Sequence, residues 1–355
     1  MSTLEVRDLT VDFRSRGERM RAVDRVSLSL EAGRTVALVG ESGSGKSTIV
    51  RALSRLTAPS AGEILLDGAP AGRHGSALRG YRRRVQMVFQ DPFASLNPTH
   101  TVAHHLKRPL LVQGRARRDT VDQAVRELLG SVNLVPEADI AAKYPHELSG
   151  GQRQRVAIAR AIATEPDVLL ANEPVSMLDV SIRLEILNLL DRLKRDRDLA
   201  LLYVTHDLAT ARHFSSEVLV LYRGEIVERG PADEVIGDPR HPYTQLLAAA
   251  APDGSRSREE KANERRTRLA ARSRRDAEQR EVVIGDGCRF RARCPFAMPA
   301  CTRRPPEVAV GPGRRALCWL YAEGKGAGAG AGTGTAGSAG SGPVGERGAA
   351  APGVG

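Results

Sequence analysis

The stretch GESGSGKST, Gly40 to Thr48, decides the fold. It matches the pattern GxxxxGK[ST], and its flanks supply the context which that pattern requires. Upstream, Thr35-Val36-Ala37-Leu38-Val39 reads as a buried strand; downstream, Thr48-Ile49-Val50-Arg51-Ala52-Leu53 reads as a helix leaving the loop. Gly40, Gly43 and Gly45 let the backbone bend, so that successive N–H groups across Ser42, Ser44 and their neighbours face phosphate oxygens at the positive end of the helix. Lys46 is placed to reach the β- and γ-phosphates of a nucleotide, and the Ser47 hydroxyl to ligate Mg²⁺.

Further along, LSGGQRQR at Leu148 to Arg155 precedes the apolar run Val156 to Ile162. It is a second glycine-rich turn at a helix N-terminus. One nucleotide does not need two cradles in one chain. The economical reading is a head-to-tail dimer, in which each ATP lies between the loop of one subunit and Ser149, Gly150, Gly151 and Gln152 of the other.

With these two motifs in place, the chain resembles the ATP-binding subunits of ABC transporters from about Leu4 to Leu247. The resemblance implies an α/β fold: a P-loop NTPase core of ABC type with an N-terminal antiparallel β region, a helical subdomain at about 90–160 and a small Cys-containing C-terminal extension. By the same resemblance, Gln90 in VFQDP senses the metal and γ-phosphate, and Glu173 in DVLLANEP is the general base for the attacking water. Asp179 in SMLD belongs to the loop that speaks across the dimer, and His206 in LLYVTHD is the switch histidine. Phe13 is the candidate aromatic for stacking on adenine, and Arg14 to Arg21 reads as an insertion beside it. Gln90 to Leu106 is the expected docking surface for a short helix of the membrane partner.

The residues support these roles independently of the family. Phosphoryl transfer asks mainly for positioning and charge neutralisation, so a lysine, a metal ligand, a base and a γ-phosphate donor are the parts to expect. Lys46, Ser47, Glu173 and His206 supply them. Val168 to Ala171 and Ala200 to Val204 are continuous apolar runs, as in parallel strands buried on both faces. Each delivers its polar residue just past the strand's C-terminal end, where open α/β sheets bind ligands.

Asn172 departs from the pattern, because the family has aspartate there. Hard cations prefer anionic oxygens, and asparagine keeps the shape while removing the charge. Weakened Mg²⁺ retention and slower hydrolysis follow, in an asymmetric complex whose intact LSGGQ completes a partner's site. The alternative is that Ser47, Gln90 and the phosphates hold the metal well enough without it.

Composition limits the remaining choices. At 355 residues the chain holds one large α/β domain plus appendages. No stretch approaches the roughly eighteen uninterrupted apolar residues of a membrane span, and Met1 to Asp8 has no signal-peptide pattern. The formal charge of +11 is spread among interleaved acids with few aromatics, which speaks against a nucleic-acid partner. His104 and His105 are adjacent, so on a helix they point about 100° apart and suit packing or docking better than ligation. Ser255 to Arg280 mixes both signs, with Glu264 and Arg268 at i,i+4 spacing, and reads as a solvated linker helix, contact with anionic lipid being the alternative.

The end of the chain selects a branch of the family. DPRHPYTQLL at Asp238 to Leu247 resembles the ending of ATPases from oligopeptide, dipeptide and nickel importers. All four cysteines, Cys288, Cys294, Cys301 and Cys318, fall in one stretch after it. In a reducing compartment they suit a [4Fe–4S] cluster or Zn²⁺, or remain reduced structural thiols. The expected organisation is an ATP-binding domain at 1–250, a charged linker at 251–282, a Cys region at 283–322 and a disordered Gly/Ala-rich tail at 323–355.

The expected function is ATP binding and hydrolysis, with ATP and Mg²⁺ as cofactors, energising an importer of peptides, or else of nickel or oligosaccharides. Its partners would be two permease subunits, a second ATPase subunit identical or paralogous to this one, and an extracytoplasmic solute-binding protein, with this chain on the cytoplasmic face of the membrane. A subunit with weak or no turnover is the alternative. A non-transport ABC protein of translation or DNA repair is disfavoured by the single core and the lack of coiled-coil or zinc insertions.

Overall fold

The computed structural model describes residues 3–15, 18–250 and 287–322. The expected linker helix and Gly/Ala-rich tail lie outside the described residues. In chain order the strands are β1 (Thr3–Ser15), β2 (Glu18–Glu31), β3 (Thr35–Val39), β4 (Ala61–Leu66), β5 (Ala69–Pro70), β6 (Val85–Val88), β7 (Val168–Asn172), β8 (Ala200–Thr205), β9 (Glu217–Tyr222), β10 (Glu225–Pro231), β11 (Glu307–Gly311) and β12 (Arg314–Leu317). They form an antiparallel sheet in the order β2-β1-β4-β5 and a larger mixed sheet in the order β11-β12-β10-β9-β3-β8-β7-β6. In the larger sheet β3 runs parallel to both β8 and β9, and β7 runs parallel to β6 and β8.

Strands β3 and β8 are buried at every position, as strands covered on both faces must be. Alternate side chains feed different cores. Val36 and Leu38 pack with Ile49, Leu53 and the N-terminal sheet residues Leu4 and Val6. Ala37 and Val39 pack on the other face with Leu106, Leu129 and Ile158. The helix Lys46–Leu53 and the antiparallel sheet therefore cover one face, while helices drawn mostly from between β6 and β7 cover the other.

Those helices include Val102–Val112, Val121–Ser131 and Gly150–Ile162. In Val121–Ser131 the buried residues Val121, Val125, Leu128 and Leu129 form one apolar stripe. Of the stretch from Arg14 to Arg21, expected as an insertion, the described residues continue the pairing of β1 with β2: Phe13 opposes Met20 and Arg14 opposes Arg19.

The Cys-bearing segment is not a separate appendage. Its hairpin β11–β12 extends the larger sheet at the β10 edge, with Arg229 opposite Arg315 and Glu228 opposite Ala316. Beneath that pairing, Arg314 meets Glu228 at 3.2 Å, both side chains almost fully buried. Glu228 also accepts the backbone N–H groups of Arg240 and His241, each at 2.9 Å. A buried charge pair is tolerable only when its remaining oxygens find donors in this way. Among the described residues, no helix is long and apolar enough to cross a membrane.

Candidate functional site

β3 ends at Val39 and the helix Lys46–Leu53 begins seven residues later, so the intervening loop caps the C-terminal edge of the parallel strands. Gly45 precedes the helix with φ of 109° and has no side chain to cap it. A Cβ there would lie 2.6 Å from the Ala22 carbonyl, so the close approach of β2 demands glycine. Ser44 is buried, and its hydroxyl has no hydrogen-bond partner among the described residues. No acidic residue stands in the first turn of the helix. Uncapped N–H groups, an orphaned hydroxyl and a buried cation fit a phosphate group.

The Lys46 ammonium folds back across the loop and donates to Gly40 O at 2.8 Å and Glu41 O at 2.9 Å. Burial depresses its pKa, against the opposing pull of Glu173 and Glu41. Ser47 follows, and its Oγ donates to Asn172 Oδ1 at 3.4 Å. That contact is long, and it joins a hydroxyl to a neutral amide.

Glu173 sits where β7 stops and is the centre of the polar cluster. Its Oε2 accepts from Gln90 Nε2 at 3.0 Å and lies 3.6 Å from His206 Nδ1; its Oε1 lies 4.0 Å from Lys46 Nζ. The residue has φ of 47°, a left-handed backbone that costs about 1–3 kcal/mol and is held by its N–H bond to Val204 O at 3.0 Å. Six of the sequence-selected residues, Lys46, Ser47, Gln90, Asn172, Glu173 and His206, thus meet at one sheet edge.

Other candidates stand apart from that cluster. The second glycine turn starts the helix Gly150–Ile162, where Ser149 Oγ accepts the Gln152 N–H at 3.2 Å and Gln152 Oε1 accepts the Ser149 N–H at 3.0 Å. It packs on the segment after β7: a Cβ on Gly151 would fall 2.8 Å from Ile182 Cγ2, and one on Gly150 would touch Leu178. Asp179, exposed, precedes the helix Val180–Arg197, whose first turns show Val180 and Leu184 to solvent. Phe13 is partly exposed on β1, whose partner β2 borders the phosphate loop at Ala22. Ser42 and Gly43 lie in the loop, and Thr48 lies in the first turn of its helix.

Gln90 has a second neighbourhood. It lines a groove of about 1020 Å³ together with Met87, Phe89, Pro109 and Arg160. His104 lines it too, its ring stacked on His100 at 4.0 Å, and His105 Nε2 donates to Asn97 O at 3.0 Å. One glutamine therefore spans the polar cluster and the groove.

The expected iron–sulfur or zinc site finds no support. Among the described residues no group of three or more His, Cys, Asp or Glu side chains is arranged to hold a metal ion. Burial, opposed in part by backbone hydrogen bonds and aided by neighbouring sulfurs, pushes the thiols of Cys288 and Cys318 up to about 11 and raises that of Cys294. They pack as small apolar groups, Cys288 and Cys294 lying against the main core.

Residues 23–176 match the ABC transporter family, and residues 227–301 match the C-terminal region of oligopeptide/dipeptide transporters. The di/tripeptide transport ATP-binding protein of Pseudomonas aeruginosa is 39% identical over 324 residues, 89% of this chain and 97% of that one. The chain belongs to the ATP-binding proteins of ABC transporters. A further relative, the oligopeptide transport ATP-binding protein of Bacillus subtilis, is 38% identical over 316 residues, 85% of this chain and 90% of that one. Among solved structures, a dimeric ATP-binding cassette in a post-hydrolysis state bound to ADP and Pi superposes with a TM-score of 0.59 at 30% identity, covering 64% of this chain and 98% of the other. As a member of this family, the ABC protein described here is an ATPase coupled to transport.

Sequence reasoning missed three residues of this site. Tyr243 accepts the Glu41 N–H at 2.9 Å across 202 positions of sequence, and Arg293 grips the Glu41 carboxylate. HPYTQ was visible as a family mark, but no local pattern says that its tyrosine reaches the phosphate loop.

Proposed function

We propose that this ABC protein binds and hydrolyses ATP to drive a peptide importer, working with two permease subunits, a second ATPase subunit and an extracytoplasmic solute-binding protein. The observation that carries the reading is Gln90, bonded to Glu173 and at the same time lining the groove. A permease helix seated in that groove would be sensed by the γ-phosphate site through one side chain. Peptides as cargo are supported by the relatives named for di/tripeptide and oligopeptide transport, and attachment at the cytoplasmic face belongs to the same proposal. The domain boundaries at 250 and 283, and a helical subdomain at about 90–160, belong to the same proposal; the second family match, residues 227–301, runs across both boundaries.

In this reading the loop N–H groups and Lys46 hold the β- and γ-phosphates, Ser47, Gln90 and Asn172 face Mg²⁺, and Ser44 gives its orphaned hydroxyl to a phosphate oxygen. Mg²⁺ supplies neutralisation of the phosphate charge. Glu173 takes a proton from water as its oxygen attacks the γ-phosphorus and ADP departs. His206 donates toward the γ-phosphate, and Ser149 to Gln152 of the opposing subunit complete the cage from the other side. Binding across two subunits favours a closed dimer, and loss of the γ-phosphate releases it.

The test is reconstitution with the permease and binding protein in liposomes. ATP-dependent uptake of a labelled di- or oligopeptide, lost in Glu173→Gln, is the expected result. Brisk turnover that ignores peptide-loaded binding protein would sink the proposal.

Asn172 favours a second reading, a site that binds ATP more than it turns it over. Its side-chain Oδ1 takes the long, neutral contact from Ser47 Oγ at 3.4 Å. Equal hydrolysis rates at the two composite sites of the complex would remove it. An iron–sulfur or zinc site at Cys288, Cys294, Cys301 and Cys318 has only the clustering of the thiols in its favour, and metal analysis of anaerobically purified protein decides it.

A further inference from the structure

Glu41, the second residue of the phosphate loop, is held from outside the nucleotide core. Its N–H donates to Tyr243 Oη at 2.9 Å. Its carboxylate receives two parallel bonds from the Arg293 guanidinium, Nη1 to Oε2 and Nη2 to Oε1, each 3.1 Å. Tyr243 is fully buried, and the Arg293 side chain is 15% exposed.

Arg293 is fixed in its turn by the Cys-bearing module. It ends the short turn Arg291–Arg293, which lies between Cys288 and Cys294. Its guanidinium lies 5.7 Å from the Tyr222 ring centre and 5.6 Å from that of Phe290. Phe290 is 2% exposed and wedges between Tyr222, Tyr243 and His241. Arg289, four residues before, ties the same turn to Asp24 at 2.6 Å and to Glu225 at 3.2 Å.

The charge on Glu41 makes these contacts matter. Its carbonyl accepts from Lys46, and its carboxylate acts electrostatically on the Lys46 ammonium. It therefore stands within reach of the place where a triphosphate would lie. A bare carboxylate there repels a polyanion, and in a partly buried site the repulsion is poorly screened. A forked guanidinium cancels that charge and fixes the loop backbone with the same contact.

We infer that Arg293 and Tyr243 are positioning residues of the ATP site, through which the C-terminal Cys module sets the affinity of the phosphate loop for nucleotide. The inference rests on reading Gly40 to Thr48 as the ATP loop. It assigns the module a role in the nucleotide cycle: loosening it unmasks Glu41 and weakens ATP binding without touching Glu173.

The experiment uses the full chain, alone for binding of a fluorescent ATP analogue and assembled with its permease for turnover. Arg293→Ala raises Kd and KM for ATP about tenfold, with the change in KM rather than kcat. Arg293→Lys keeps the charge without the fork and falls between. The double variant Arg293→Ala/Glu41→Gln regains most of the affinity, because the unmasked charge is gone; a merely structural defect would not be relieved. Thermal unfolding reports whether each variant folds, and where Arg293→Ala does not, Tyr243→Phe removes one hydroxyl and raises KM in the same direction. Unchanged KM in the folded variants, or a loss that Glu41→Gln leaves in place, overturns the inference. Failure of the unaltered protein to bind ATP overturns the underlying reading instead, so the two failures are told apart.

Discussion

The helices Lys46–Leu53 and Gly150–Ile162 both start from a glycine-rich turn, yet their N-terminal N–H groups meet opposite conditions. The first is preceded by Gly45, has no capping side chain, and sits beside the unpartnered Ser44 hydroxyl. The second closes on itself through the reciprocal bonds of Ser149 and Gln152. An end that the chain leaves unsatisfied is an anion site; an end that the chain caps is a rigid shape to present to a neighbour. A third case stands behind the loop. The helix Pro242–Ala250 begins after His241, whose Nδ1 accepts the Tyr243 N–H at 3.0 Å, so a buried neutral imidazole does the capping.

The largest test of this contrast is Lys46→Ala. The ammonium is the one buried cation of the open end, and without it ATP binding should be nearly lost and turnover should fall about a thousandfold. Retained ATP binding, measured by titration with a fluorescent analogue, would break the comparison at its first term.

The histidine cap makes a pH-dependent version. Burial holds the His241 pKa down to about 4 in the folded chain, against 6.5 as the ordinary value. Between those values the unfolded chain takes up a proton that the folded chain refuses. Stability is therefore full above about pH 6.5, falls as pH drops toward 4, and changes no further below it on this account, by about 3 kcal/mol in all. Thermal midpoints against pH would follow this slope, and His241→Asn would flatten it. A slope that survives the substitution would assign the acid sensitivity elsewhere.

How much of this was legible beforehand depends on range in sequence. Thr35 to Leu53 announced strand, loop and helix together, because the periodicity and the glycines all lie within one contiguous stretch. The alternation that sends Val36 and Leu38 to one core and Ala37 and Val39 to the other follows from pleat alone. Glu173 and His206 were visible because each ends an apolar run. The left-handed turn at Glu173 was not, since nothing in Asn-Glu-Pro demands φ of 47°. Nor was the β10–β12 pairing, which needs a partner strand far along the chain, or the reach of Tyr243 and Arg293 to Glu41. The four cysteines pointed toward metal by clustering; in the fold Cys301 and Cys318 are buried, and Cys288 and Cys294 pack against the core that holds Phe290.

Asn172→Asp sharpens the comparison from the metal side of the open end. An anionic oxygen opposite Ser47 should bind Mg²⁺ more tightly and raise turnover by about tenfold, worth roughly 1.4 kcal/mol. No gain, with turnover still abolished by Glu173→Gln, would mean that the amide suffices and that the site is an ordinary working one.

The smallest effect is the most specific to the contrast. Ser149 and Ser44 are both serines at the mouth of a helix, and each can be cut to alanine with the loss of one oxygen. Ser149→Ala removes the acceptor of the Gln152 N–H and breaks a reciprocal cap, so nucleotide-free protein should lose about 1 kcal/mol of stability. Ser44→Ala removes a buried hydroxyl that has no partner, so the nucleotide-free fold should lose nothing and gain slightly. With MgATP present the order reverses for binding: Ser44→Ala weakens the complex because a phosphate oxygen loses its donor, while Ser149→Ala leaves the loop of its own subunit untouched. Denaturant midpoints of both variants, with and without nucleotide, read the four values. Equal losses without nucleotide would mean that the open end is closed by something other than a ligand.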